Sequence, residues 1–356
     1  PDPRRRERGL EAGEPGPDHH HCHIGAAAHR AADHTTAAAA RAQPRIVRPR
    51  ASPGAAARAP PGLHSVTVTG FVSIVGAGPW DPELLTLAGR DRLARADVVV
   101  ADYLVNPALF IHCRPDVHVY QRTQGPHGGA HGEPVADQDE IHRILLEKAG
   151  AGLRVVRLKG GDPMVFGRGG EEAQVLRAAG IDFEFVPGVT AAVAAAEAAG
   201  IPVTHRDHSP SVSFVSGYEA YEKGGRSVEW EHLARNGGTL VLMMSVKNCR
   251  DNADRLIAAG RDPATPAALI RWGTRGIQRT VVAPLARLAD AVEAAGIRPP
   301  AVMIVGSVVD LRSEIQWIER RPLFGRRVVV TRAAQQAGEL LHMLAQHGAD
   351  AVAFPC

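Results

Sequence analysis

Between Arg157 and Glu172 the chain reads Arg-Leu-Lys-Gly-Gly-Asp-Pro-Met-Val-Phe-Gly-Arg-Gly-Gly-Glu-Glu, with five glycines in the eleven residues 160–170. Each ordered glycine costs about 0.5–1 kcal/mol relative to alanine, so five of them need a reason. A ligand approached closely by backbone supplies one, and a flexible hinge is the bland alternative. Asp162 adds an anionic acceptor, which suits a cationic ligand, an amine or ribose hydroxyls better than a phosphate. A second glycine turn, Gly76-Ala-Gly-Pro-Trp-Asp-Pro-Glu83, follows an apolar run. The dinucleotide fingerprint would need glycine at 81 and meets Asp81, and a Walker loop would need Gly-Lys-Ser/Thr where Asp81-Pro82-Glu83 stands. Neither NAD nor a nucleoside triphosphate is indicated, and a tight turn alone would also explain this segment.

Loops of this kind bind ligands at the carboxyl ends of parallel strands, where helix N-termini point at them. The sequence supplies such elements. Short β-branched runs at 69–75, 97–101, 117–120, 154–158 and 183–186 predict strands, with helices at 82–95 and 137–149 between them. Asp137 and Glu140 have capping-box spacing. A second set follows, with strands at 212–216, 239–243, 267–270, 279–282 and 301–305 and helices near 247–259 and 285–295. The polar stretch 203–211 reads as a linker. Residues 328–332, 335–347 and the run ending in AVAFP predict one further strand, helix and strand, too little to bury a core alone.

The 356 residues carry 41 Lys and Arg against 38 Asp and Glu. Ten arginines and six acids fall in residues 1–64, so the remainder has a net charge of −1. A near-neutral globular part argues against a nucleic-acid partner, because such domains present a basic surface to phosphates. No apolar run approaches the roughly 20 residues of a membrane helix, and none follows Arg4–Arg8 as a secretory signal would require. A cytoplasmic protein without a membrane partner is expected. The four cysteines, at 22, 113, 249 and 356, have no paired spacing and fit a reducing compartment. Residues 1–64 are Arg-, Ala-, Pro- and His-rich and are expected to be disordered. His19, His20, His21, Cys22 and His23 offer ligand atoms there, but no specific metal site is expected without a fold to fix them.

The blocks GAGPWDPELLTL, ADVVVADYLV, VVRLKGGDPMVFGRGGEE, VPGVTAA and AGIPVTHRD, in this order and over about residues 69–310, resemble the tetrapyrrole methylase family. The resemblance implies an α/β fold of two domains, 65–205 and 206–320, with S-adenosyl-L-methionine in the cleft between them, and a homodimer. It implies methylation of a tetrapyrrole, uroporphyrinogen III at two pyrrole carbons. Alternatives are a later corrin intermediate as substrate, or a cofactor-binding protein that has lost activity. Cofactor contacts carried over by position fall on Pro79, Gly160, Gly161, Asp162, Val165, Thr190, Ala191, Met244 and Gly273. Asp102 takes the place of the family's proton acceptor. Taken alone, Thr190 could be a helix cap, Met244 a core residue and Asp102 a turn cap. Arg168, His205 and Arg206 are the first candidates for holding the substrate carboxylates, since the arginine fork grips carboxylate bidentately.

Two positions depart from the family pattern. Trp80 stands where glycine is usual, at a cost of roughly 1–2 kcal/mol if a positive φ is needed. Gln121 replaces a lysine expected to donate a proton, with His127 and His131 nearby as conceivable substitutes. The stretch RPLFGRRVVVTR, from Arg321, resembles the opening of uroporphyrinogen-III synthase, so 321–356 is expected to be the truncated start of such a domain. Neither end of the chain is expected to contribute to the cleft.

Overall fold

The computed structural model describes residues 70–122, 132–218 and 228–354. The expectations for residues 1–64, the His19–His23 cluster, His127 and His131 lie outside them. β1 (Phe71–Gly76), β2 (Val98–Ala101) and β5 (Arg154–Lys159) are buried on both faces, as the middle of a parallel sheet requires, while β3 (His118–Arg122) and β6 (Asp182–Val186) are partly buried. With the short β4 (Glu133–Val135), which was not expected, they form one parallel sheet ordered β4-β3-β2-β5-β1-β6. That order places β5 between β1 and β2, so the two glycine loops and the end of β2 emerge side by side.

Helices α2 (Gln138–Gly150) and α3 (Gly169–Ala178) cover one face of this sheet, with Ile141, Ile144, Leu145 and Leu176 packed on Val72, Ile74, Val98 and Val155. Asp137 caps α2 by accepting from the Glu140 amide at 2.9 Å, while the Glu140 carboxylate accepts from Ala136 N, one residue earlier than a standard capping box. The single helix expected at 82–95 divides in two. Asp81 caps a 3-10 turn at Pro82–Leu84, and Thr86 then caps α1 (Leu87–Leu93) through Gly89 N.

The second sheet is mixed, ordered β10-β9-β11-β8-β7. Its strands are β7 (Val212–Ser216), β8 (Thr239–Met243), β9 (Pro266–Arg271), β10 (Arg279–Pro284) and β11 (Ala301–Val305). Helices α5 (Trp230–Arg235), α6 (Cys249–Ala258) and α7 (Leu285–Ala294) fill one face with Leu256, Leu285 and Leu288. The other face carries α4 (Ala191–Ala198), through Ala192, Ala195 and Ala196 against Val241, Ile270 and Ile304. The expected linker 203–211 is well tied: Ser209 is buried, and its Oγ accepts from Thr239 N at 2.8 Å and donates to Ser211 O.

After the short α8 (Arg312–Ile315) come β12 (Arg327–Val330), α9 (Ala334–Gln346) and β13 (Asp350–Ala353), with β12 and β13 paired in parallel. This unit docks on the turn after β9, where Gly325 N donates to Gly276 O at 2.7 Å. Residues 321–354 thus contact the methylase part of the chain: Asp350 is buried, and its carboxylate binds Arg275 on that turn.

Candidate functional site

Backbone bonds stitch the two glycine loops together. Ala77 N donates to Lys159 O at 2.8 Å, Gly78 N to Gly161 O at 3.2 Å, and Gly161 N to Gly78 O at 2.9 Å. The turn before α4 closes on both, since a Cβ at Gly188 would lie 2.3 Å from Gly161 O and 2.7 Å from the Gly76 Cα. Gly167 and Gly169 are likewise required by packing, against Pro163 O. A tight, bonded loop is not a hinge. Gly160 and Gly161 differ: an added Cβ would meet nothing nearer than Leu104 Cβ at 3.4 Å and Ala191 N at 3.6 Å, respectively. Each therefore tolerates a close neighbour without a clash, Gly160 beside Leu104 and Gly161 beside Thr190 and Ala191 at the start of α4, where Thr190 is indeed the cap, accepting from Ala192 N.

Asp162 spans this arrangement. One carboxylate oxygen accepts from Met164 N at 2.8 Å and the other from Gly188 N at 3.0 Å. It thus holds its own loop to the Pro187-Gly188 turn, and each oxygen keeps a lone pair for a ligand. Val165, half-buried, closes the loop's turn through its amide to Asp162 O.

Asp102 follows β2 directly, with its amide bonded to Leu158 O of β5. Its side chain caps no turn. Instead, Oδ1 accepts from Arg157 Nη2 at 2.5 Å, and Lys159 Nζ lies 3.9 Å from Oδ2. Arg157 and Lys159 alternate along β5, so both point to the face covered by α2 and α3, where fully buried Glu172 accepts from both, at 3.1 and 2.8 Å. Gln138 donates to the same Glu172 oxygen. Burial pushes the Asp102 carboxyl up, but the charges of Arg157, Lys159 and Arg122 outweigh it and hold the carboxyl below the usual range. Lys159 is shifted down by burial and by Arg157. Only Asp102 of this quartet reaches the surface, with a fifth of its side chain exposed. Gln121 is buried in β3 beside Ala101, so the cations nearest Asp102 are sealed ones that fix its charge.

Loops of the second sheet complete the arrangement. Met244 follows β8 directly and is half-exposed, so it is not a core residue. Gly273 meets α4 so closely that a Cβ would lie 2.4 Å from Ala195 Cβ. The neighbouring Thr274 hydroxyl donates to Pro79 O at 2.5 Å, joining the two sheets' loops. Trp80 does adopt a positive φ, 72°, and among the described residues the other non-glycine cases are Phe166, Arg168, Met244, Trp272 and Thr274. All six lie on loops after β1, β5, β8 and β9, where strain of about 1–3 kcal/mol each persists only if the surroundings enforce it. Trp80 is held by an edge contact with Trp272, ring centroids 5.7 Å apart, and by the Arg275 guanidinium 3.9 Å from its ring centroid.

Among the anchors, Arg168 pairs with Glu171 at 2.6 Å, His205 accepts from Asp207 N, and Arg206 is exposed. No single contact gathers these three. Sequence reasoning missed Glu172, Arg157 and Arg275. Arg and Lys two apart in an otherwise apolar strand signalled a buried anion, which Glu172 supplies. Burial pushes the thiols of Cys113 and Cys249 up to about 11, which leaves no ready thiolate for chemistry.

A parallel sheet whose glycine loops face an alanine helix and the loops of a mixed sheet defines an α/β protein of the two-sheet type. The sequence matches Tetrapyrrole (Corrin/Porphyrin) Methylases over residues 72–289, and the chain belongs to that family. It is 41% identical over 286 residues to the uroporphyrinogen-III C-methyltransferase of Bacillus subtilis, covering 80% of this chain and 58% of that protein. It is 46% identical to the S-adenosyl-L-methionine-dependent uroporphyrinogen III methyltransferase of Methanosarcina barkeri, over 68% of this chain and 93% of that one. The Thermus thermophilus uroporphyrin-III C-methyl transferase solved with S-adenyl homocysteine aligns at 40% identity and a TM-score of 0.56, over 68% of this chain and all of that one.

Proposed function

We propose that this chain transfers methyl groups from S-adenosyl-L-methionine to two pyrrole carbons of uroporphyrinogen III, giving precorrin-2, the branch compound toward siroheme and cobalamin. The observation that carries this reading is the Gly160–Gly161 turn, bonded to the Gly76–Gly78 loop and set beside the Thr190–Ala191 helix start, on the strand next to the one that ends at Asp102. Similarity to the three relatives supports it.

The residues fit the cofactor. Gly160, Gly161, Thr190 and Ala191 offer backbone to the nucleoside and amino-acid parts, Asp162 keeps acceptor capacity for hydroxyl or ammonium donors, and Pro79, Val165, Met244 and Gly273 form the apolar surround. When bound, the cofactor supplies a sulfonium-activated methyl group. The protein's part is alignment, which accounts for most of the barrier reduction in a displacement reaction. Asp102, held ionised by Arg157 and Lys159, accepts a hydrogen bond from a pyrrole N–H, stabilises the positive charge that develops as the ring carbon attacks, and receives the proton the alkylated ring loses. A carboxylate kept this acidic is a modest base, so charge stabilisation is its larger role. Arg168, His205 and Arg206 bind substrate carboxylates.

Trp80 keeps the loop conformation that glycine would favour, which supports an active enzyme over one that has lost activity. Among the described residues no helix is long and apolar enough to cross a membrane. A cytoplasmic homodimer is the assembly we propose, checked by sedimentation. The segment from Arg321 is proposed to open a synthase-like unit. Incubation with methyl-labelled cofactor and uroporphyrinogen III tests the reaction, and two labels per macrocycle are expected. Binding of S-adenosylhomocysteine without label transfer would favour lost activity, and labelling of a later corrin alone would favour the alternative substrate.

A further inference from the structure

The docked C-terminal unit reaches the loops assigned to the cofactor through a short chain of contacts. Asp350, at the start of β13, accepts from Arg275 Nη2 at 2.8 Å and from Arg327 Nε at 2.8 Å. Arg275 is itself nine-tenths buried, and its guanidinium lies 3.9 Å from the Trp80 ring centroid and 4.6 Å from that of Trp272. The turn carrying Arg275 fits β13 without slack, since a Cβ at Gly276 would meet Asp350 N at 2.4 Å. A buried guanidinium stays against apolar rings only while its charge is compensated, and Asp350 is the carboxylate that bonds it. Without it, the guanidinium turns to water and Trp80 loses its clamp at a backbone conformation that L-residues resist.

We propose that the β12–α9–β13 unit positions the cofactor loops of the methylase, with Asp350 as the positioning residue acting through Arg275 on Trp80. The C-terminal unit is thereby coupled to methyl transfer, and removing Asp350 lowers the fraction of molecules whose 78–81 loop is ready to bind. This rests on the cofactor reading above for its effect on affinity, but its effect on loop order stands without that reading.

The full chain carrying Asp350→Asn is compared with wild type by amide hydrogen exchange at Gly78, Trp80 and Asp81, and by calorimetric titration with S-adenosylhomocysteine. Faster exchange at those amides is expected. A competent fraction reduced to about a tenth would weaken binding about tenfold. Gly276→Ala, which wedges the unit away without altering charge, should do the same. In a Trp80→Gly background, where no clamp is needed, Asp350→Asn should change affinity by less than about twofold. Wild-type exchange at the three amides in both variants would overturn the proposal, as would an undiminished affinity loss in the Trp80→Gly background. If the wild type binds no S-adenosylhomocysteine, the functional reading fails while the exchange experiment still decides this proposal.

Discussion

Asp102 owes its acidity above all to two neighbours sealed inside the fold, Arg157 and Lys159. Because its folded pKa lies below the ordinary carboxylate value of about 3.9, its contribution to stability is complete above that value and disappears as pH falls through the folded one. Asp102→Asn should therefore lower the urea midpoint at pH 7, and the gap from wild type should close as the titration is repeated toward pH 2. In turnover assays the same variant should lose about 10²-fold or more in kcat, with S-adenosylhomocysteine affinity near wild type. Glu172 is the counterweight: it is fully buried between Arg157 and Lys159. Glu172→Gln leaves two sealed cations short of an anion and should cost about 3–5 kcal/mol in unfolding free energy. A loss under about 1 kcal/mol would mean that Asp102 alone balances both cations.

At the scale of the elements, the glycines separate into two kinds with different expected phenotypes. Gly188→Ala forces a Cβ into Gly161 O and the Gly76 Cα, both backbone, so a soluble protein with an unfolding midpoint several degrees lower, or none, is expected. Gly161→Ala meets no atom nearer than 3.6 Å and carries only the strain of φ 71°, about 1 kcal/mol. It should keep most stability while weakening S-adenosylhomocysteine binding, and a circular-dichroism melt beside a titration separates the two. The strands were legible because parallel strands buried on both faces write themselves as Val-rich runs, and α2 because Asp137 caps it. The division of 82–95 was not, since it depends on two caps, Asp81 and Thr86, competing within one apolar pattern. The glycine loops and Asp102 were readable from their residue types and family resemblance. Arg275 was not, because its role depends on Asp350, 75 residues away. Gly273 was identified as a ligand contact, while its lack of a side chain is required by Ala195.

Across the whole molecule, the proposed coupling makes the cofactor loops depend on chain that lies beyond both sheets. A protein spanning residues 63–320 should retain both hydrophobic cores, since every residue of these clusters precedes 310. It should nevertheless bind S-adenosylhomocysteine several-fold more weakly than the full chain, as calorimetry would register, because Arg275 would lose its carboxylate. Equal affinity would assign the docked unit no part in the site.

Helix α4 has a further consequence. Six of its eight residues are alanine, and Val193 and Glu197 are the others. Alanine has no rotamers to freeze, so this wall is ordered with almost no side-chain entropy to lose when a ligand arrives. Where it meets the loops its surface is backbone and methyl groups, Ala191 beside Gly161 and Ala195 against Gly273, which makes the separation of those two glycines a dimension of the scaffold. Any ligand held by both loops must therefore match a spacing that no rotamer change in this helix can adjust.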